Sequence, residues 1–122
     1  MKIEYFTNAG PFGGPDVKTD VIIKNNVDIL KALLTDDGGL SLNSYILIVD
    51  DGIKGIDSVK NGSLERFDWD RECWSAEIEM KGVKLLSLYD ESYCCTISID
   101  DFEKALIGWR NFILSPTANS VR

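Results

Sequence analysis

The amino-acid sequence predicts an α+β fold, with an antiparallel or mixed sheet carrying an N-terminal and a C-terminal helix on one face. Three observations predict it. Residues 74–97 alternate apolar and polar in three runs joined by short turn sequences, the pattern of an antiparallel meander. Residues 98–113 then set Phe102, Ala105, Leu106, Trp109, Phe112 and Ile113 at i, i+3, i+4, i+7, i+10 and i+11, the stripe of an amphipathic helix. A chain of 122 residues reads as a single domain over 1–122, able to bury roughly two-thirds of its unfolded surface without a disulfide or metal staple. Residues 115–122 are expected to form a flexible tail.

Lys2–Thr7 alternates and reads as a first strand. Gly10-Pro-Phe-Gly-Gly-Pro15 breaks it. This loop lacks the Lys-Ser/Thr and the glycine spacing of a phosphate-binding loop, so it reads as plain, with Phe12 pinning it to the core. Val21–Leu34 reads as a helix capped by Asn25 or Asn26 and ended by Asp36-Asp-Gly-Gly39. Tyr45-Ile-Leu-Ile-Val49 is a continuous β-branched-rich run, which predicts a strand covered on both faces, turned by Asp50-Asp-Gly52. Residues 52–63 read as a loop with a short irregular element, and Leu64–Asp70 as a further strand.

The meander can be registered by arithmetic. A two-residue turn at Lys81-Gly82 pairs Met80 with Val83 and Ile78 with Leu85. A turn at Asp90-Glu-Ser92 pairs Tyr89 with Tyr93 and Leu85 with Ile97. Trp74, Ile78, Met80, Val83, Leu85, Tyr89, Tyr93, Cys95 and Ile97 then share the core face, and a one-residue slip would turn them all outward. Ser98 caps the last helix, with Asp101 three residues on as in a capping box, and Pro116 bars continuation.

The other face of the meander holds Glu77, Glu79, Leu86 and Leu88, with Asp90 and Glu91 close by. In this register Glu79 lies opposite Lys84, and Glu77 opposite Leu86. An apolar middle with a charged rim has the composition of an interface. A terminal strand, the 52–70 segment or a second copy would equally cover two leucines. Asp50, Asp51, Asp57, Asp68 and Asp70 form the alternative acidic patch.

Thirteen basic against twenty acidic groups give a net charge of −7, and nine of the former and fourteen of the latter lie in residues 44–122. Such a field repels phosphate backbones, which disfavours nucleic acid as a partner, and it attracts basic proteins. Solubility alone is the bland account of the same charge. Cys73, Cys94 and Cys95 form no metal or redox spacing and read as reduced thiols, so a cytoplasmic location is expected. The start of the chain does not resemble a signal peptide, and no run approaches the ~20 apolar residues of a membrane span.

The chemistry of catalysis is sparse. The chain has no histidine, which removes every catalytic triad and metal site built on one. Acid pairs at Asp36-Asp37, Asp50-Asp51, Asp90-Glu91 and Asp100-Asp101 sit at predicted turns or helix starts, where Asp is favoured for local reasons. The Asp50-Asp51 pair, ending a buried strand, is the best candidate for Mg²⁺. Cys94 and Cys95 have no activating base in sequence. Trp69 and Trp74, flanking Asp70-Arg-Glu72, read as packing before they read as a stacking site.

The segment Leu88-Tyr-Asp-Glu-Ser-Tyr-Cys-Cys-Thr-Ile-Ser-Ile-Asp-Asp-Phe-Glu-Lys-Ala-Leu-Ile-Gly-Trp-Arg-Asn-Phe-Ile113 runs from strand to Asp-Phe to a helix with late Trp and Phe. It resembles the ending of small bacterial immunity proteins from contact-dependent growth-inhibition and other polymorphic-toxin systems. The likeness covers about a quarter of the chain and carries over no residue-level motif. It implies a non-enzymatic protein that binds one cognate toxin domain, often a nuclease, and blocks it, without cofactor or metal. The expected partner is therefore a basic protein. The chain itself is expected to be a monomer or homodimer, with an adaptor or homo-oligomeric regulatory domain as the competing reading.

Overall fold

A computed structural model describes residues 1–10 and 13–115. The fold is α+β. Strands β1 (Ile3–Thr7) and β2 (Pro15–Thr19) form an antiparallel hairpin, and β3 (Ile22–Ile23) and β4 (Val27–Asp28) a second, very short one. Helices α1 (Ile29–Leu34) and α2 (Leu42–Lys60) follow. Strands β5 (Arg66–Asp70), β6 (Trp74–Glu79), β7 (Gly82–Ser87) and β8 (Cys94–Ile97) make an antiparallel sheet in sequential order, and α3 (Ile99–Ile113) closes the described chain.

The meander and last helix are where the sequence places them. Ser98 Oγ accepts from the Asp101 N–H at 3.0 Å, and Phe102, Ala105, Leu106, Trp109 and Ile113 are buried. The register differs by two residues. Met80 and Lys81 form the turn, so Ile78 pairs with Val83, Leu85 with Cys95 and Val83 with Ile97. Because strand side chains repeat every two residues, the faces survive this shift. Ala76, Ile78, Val83 and Leu85 are buried, but Met80 and Tyr89, expected inside, are 59% and 80% exposed.

The N-terminal half corrects several expectations. The Gly/Pro loop joins two strands, the second of which (β2) the sequence reading missed. Phe12, its expected pin, lies outside the described residues, as do Pro116 and residues 116–122 of the expected tail. The helix expected over Val21–Leu34 begins only at Ile29. Asn25 and Asn26 take φ values of 60° and 58°, the left-handed region that Asn tolerates, and they reverse the chain between β3 and β4. The cap is Asp28 instead. Its carboxylate accepts from the Lys31 N–H at 3.0 Å and, from β2, the Thr19 N–H at 2.7 Å and hydroxyl at 2.6 Å.

The largest correction concerns residues 42–63. Tyr45–Val49 is no strand, Asp50-Asp51 no turn and 52–60 no loop, since all belong to α2. Tyr45, Val49, Gly52, Ile56 and Val59 are its buried stripe, with Gly55 beside it. The glycines are required by close approach. A Cβ on Gly52 would lie 2.9 Å from Leu106 and 3.0 Å from the Trp69 indole nitrogen, and one on Gly55 would overlap the Phe67 ring. Two small residues on the helix seam hid its period and allowed α2 to sit against both β5 and α3.

All three helices reach the β5–β8 sheet through its Phe67, Trp69, Ala76, Ile78, Val83 and Leu85 face, and the β1–β2 hairpin packs on α1 and α3. The Tyr5 hydroxyl donates to the Ala105 carbonyl at 2.8 Å, and its ring stacks on Trp109 and Phe112. The Tyr45 hydroxyl donates to the carbonyl of Leu34. Burial pushes Tyr5 and Tyr45 up to about 12.

Two outcomes follow from this packing. Gly55→Ala gains about 1 kcal/mol of helix propensity but costs about 1–3 kcal/mol of overpacking against Phe67, so urea unfolding should shift to lower midpoint. The tyrosines act at high pH. Unfolded, they ionise near pH 10; folded, Tyr5 and Tyr45 hold their protons to about 12. Between those values the folded state binds more protons, so stability should fall as pH rises through that window. Absorbance titration of tyrosine should show Tyr5 and Tyr45 ionising late in the folded chain and earlier once it is unfolded.

Candidate functional site: the open face of the four-stranded sheet

Among the described residues no helix or strand packs on the second face of the β5–β8 sheet. Alternation decides what stands there. With Phe67 and Trp69 turned inward, Arg66, Asp68 and Asp70 of β5 point out, beside Ser75, Glu77 and Glu79 of β6, Lys84 and Leu86 of β7, and Cys94 and Thr96 of β8. Cross-strand neighbours are Asp68 with Glu77, Glu77 with Lys84, Ser75 with Leu86 and Leu86 with Cys94. Glu79 therefore faces Gly82 and not Lys84, and Glu77 faces Lys84 and not Leu86.

The expected binding residues divide into two groups. Asp68, Asp70, Glu77, Glu79 and Leu86 share this face, and Leu88 lies just beyond the end of β7, 45% exposed. Asp50, Asp51 and Asp57 are on α2, on the other side of the sheet. Asp50 accepts from Arg110 Nε of α3 at 2.5 Å, while Asp51 and Asp57 are exposed. Successive helical residues point ~100° apart, so Asp50 and Asp51 do not converge as a chelating pair.

The acids of the open face are not bare. Arg66 Nε donates to Asp68 Oδ1 at 2.6 Å and its Nη2 to Asp68 Oδ2 at 3.2 Å, while Nη2 also lies 3.0 Å from Glu77 Oε2. Lys81 Nζ stands 3.8 Å from Glu79. Asp70 accepts from the Ser75 hydroxyl at 2.5 Å. Three of the four carboxylates thus meet a cation, Asp68 and Glu77 sharing Arg66 and Glu79 facing Lys81, and a shallow depression of about 420 Å³ lies over Glu77, Glu79, Lys81, Lys84 and Thr96. Arg66 is the residue that sequence reasoning passed over. The alternation that buries Phe67 and Trp69 would have placed it beside Asp68.

Other candidates resolve into structure. Asp36 Oδ2 accepts from the N–H groups of Cys73 and Trp74 at 2.7 and 3.1 Å, fixing the β5–β6 connection. Trp69 is buried and its indole N–H donates to the Ile48 carbonyl at 3.0 Å, so it is not a stacking platform. The Cys95 thiol is pushed up by burial and by its neighbour Cys94, the reverse of activation. Among the described residues no three acids or cysteines cluster as a metal site.

Ion pairs this exposed contribute little to stability, because solvent screens them. Arg66→Gln should therefore leave the thermal midpoint nearly unchanged while altering the potential of the face, and a large drop in the midpoint would show Arg66 to be a folding residue. Comparisons of this chain with protein-family models, curated proteins and solved structures find no match.

Proposed function

We propose that this chain is an acidic, non-catalytic binding protein that docks a basic protein through the open face of its β5–β8 sheet. Its most specific form is an immunity protein that occludes a cognate toxin domain, with a nuclease as the expected toxin class. The observation that carries this reading is the one-sided covering of the sheet. Three helices bury one face, and the other keeps Leu86 among Asp68, Asp70, Glu77 and Glu79. A net charge of −7 supports a basic partner, because opposite fields steer encounter and like fields suppress it. The likeness of Leu88–Ile113 to immunity-protein endings supports the toxin reading. Three free thiols suit a reducing compartment such as the cytoplasm, and no helix among the described residues is long and apolar enough to cross a membrane.

The mechanism asked of this face is occlusion. A nuclease grips phosphates with cations, and carboxylates held on a rigid sheet offer those cations an alternative that it cannot cleave. Arg66 tempers the attraction by pairing with Asp68 and Glu77 in the free protein, so a partner's cations compete with it there.

Co-purification with the product of the adjacent reading frame, followed by a growth-rescue assay, tests the reading. Glu77→Lys with Glu79→Lys should slow association about tenfold at low salt and flatten its salt dependence. Full-rate association by that double variant would remove the sheet face from the interface. Failure to rescue growth by the unaltered chain would remove the immunity role.

A further inference from the structure

The connection between β7 and β8 is built to hold one aromatic ring in solvent. Tyr89 is 80% exposed and Leu88 beside it 45%. The loop is fixed by hydrogen bonds at nearly every residue. Ser87 Oγ accepts from the N–H groups of Tyr89 and Asp90, both at 3.1 Å, and the Leu88 N–H donates to the Cys73 carbonyl at 2.8 Å. Asp90 Oδ1 accepts from the Ser92 N–H and hydroxyl at 3.1 and 2.6 Å. The β3–β4 turn braces the far side, where Asn25 Nδ2 donates to the Tyr93 hydroxyl at 2.7 Å. A preorganised backbone under an aromatic residue lowers the entropy lost when that residue binds.

The same loop shows what such a ring attracts. Lys24 Nζ lies 4.3 Å from the centre of the Tyr93 ring while donating to Ser92 Oγ. Tyr93 has its cation from within the chain. Tyr89 is the exposed ring of the pair, and the two residues after it are the exposed acids Asp90 and Glu91. An electron-rich ring beside carboxylates matches a guanidinium, which stacks on an aromatic face while its edge donates to oxygen.

We propose that Tyr89 is the stacking platform for an arginine side chain of a basic protein partner, with Asp90 and Glu91 receiving the guanidinium edge. This rests on the reading of the chain as an acidic docking protein, and it places an anchor at the end of the open face, next to Leu88 and Leu86. A second copy of the chain is the wrong occupant, since each copy brings a charge of −7 to the contact.

Nona-arginine and nona-lysine peptides, titrated calorimetrically into the full chain at about 0.15 M salt, test it. The unaltered chain should prefer nona-arginine. Tyr89→Leu should weaken nona-arginine about threefold, with a smaller effect on nona-lysine, so that the preference collapses, and Tyr89→Phe should keep it. An arginine preference unchanged by Tyr89→Leu overturns the proposal, as does a chain that does not bind nona-arginine. Glu77→Lys with Glu79→Lys separates the two readings. If it leaves both affinities intact while Tyr89→Leu still acts, the anchor stands and the sheet face falls.

Discussion

The carbonyl of Leu34 is where the three helices are tied together. It ends α1, and it accepts from the Tyr45 hydroxyl of α2 and from the Trp109 indole N–H of α3 at 3.1 Å. The indole N–H also reaches the Tyr45 oxygen at 3.2 Å. All of these groups are buried, so none could find water if the knot opened, and an unmade buried hydrogen bond costs about 1–3 kcal/mol. A six-residue helix such as α1 has little stability of its own. It persists because Asp28, itself held by Thr19 of β2, caps one end and Tyr45 and Trp109 hold the other.

With the helices locked to one another, they form a single layer, and that layer meets the sheet on one side. Lys60 at the end of α2 strengthens the arrangement by reaching Asp100 and Glu103 of α3 at 2.6 and 2.8 Å. The hydrogen bonds that Lys60 donates to Asp100 and then to Glu103 raise its affinity for its proton. Among the described residues no helix is left to cover the reverse of the sheet. Its exposed surface is therefore written in charge, and the charges are organised by Arg66 into a network across β5 and β6. Charged side chains on β5 also guard a sheet edge against pairing with another chain.

That organisation changes how the net charge of −7 should be understood. The acids do not sum into one bare field over the sheet. Those on β5 and β6 are mostly answered locally, and the acids of the Tyr89 loop stand at its end. Recognition of a basic partner would then depend on geometry at a rigid loop as much as on long-range attraction.

The sequence by itself determined the α+β class, the β6–β8 meander with a further strand before it, α3 with its Ser98 cap, and which side of β6, β7 and β8 faces away from the core. Alternation and helical period are local properties, and they survive a two-residue error in register, which is why Glu77, Glu79 and Leu86 could be placed outward in advance. Only the tertiary structure decided the rest. Tyr45–Val49 is apolar enough for a strand, and Gly52 and Gly55 look like loop. All lie inside a helix, and Gly52 and Gly55 are glycine because Leu106, Trp69 and Phe67 leave room for nothing larger than hydrogen there. Asp50 was the best metal candidate until Arg110 claimed it, and Asp36, read as part of a turn, is fixed by the Cys73 and Trp74 amides. Contacts between residues tens of positions apart set these outcomes, and no local pattern in the chain records which distant partner will arrive.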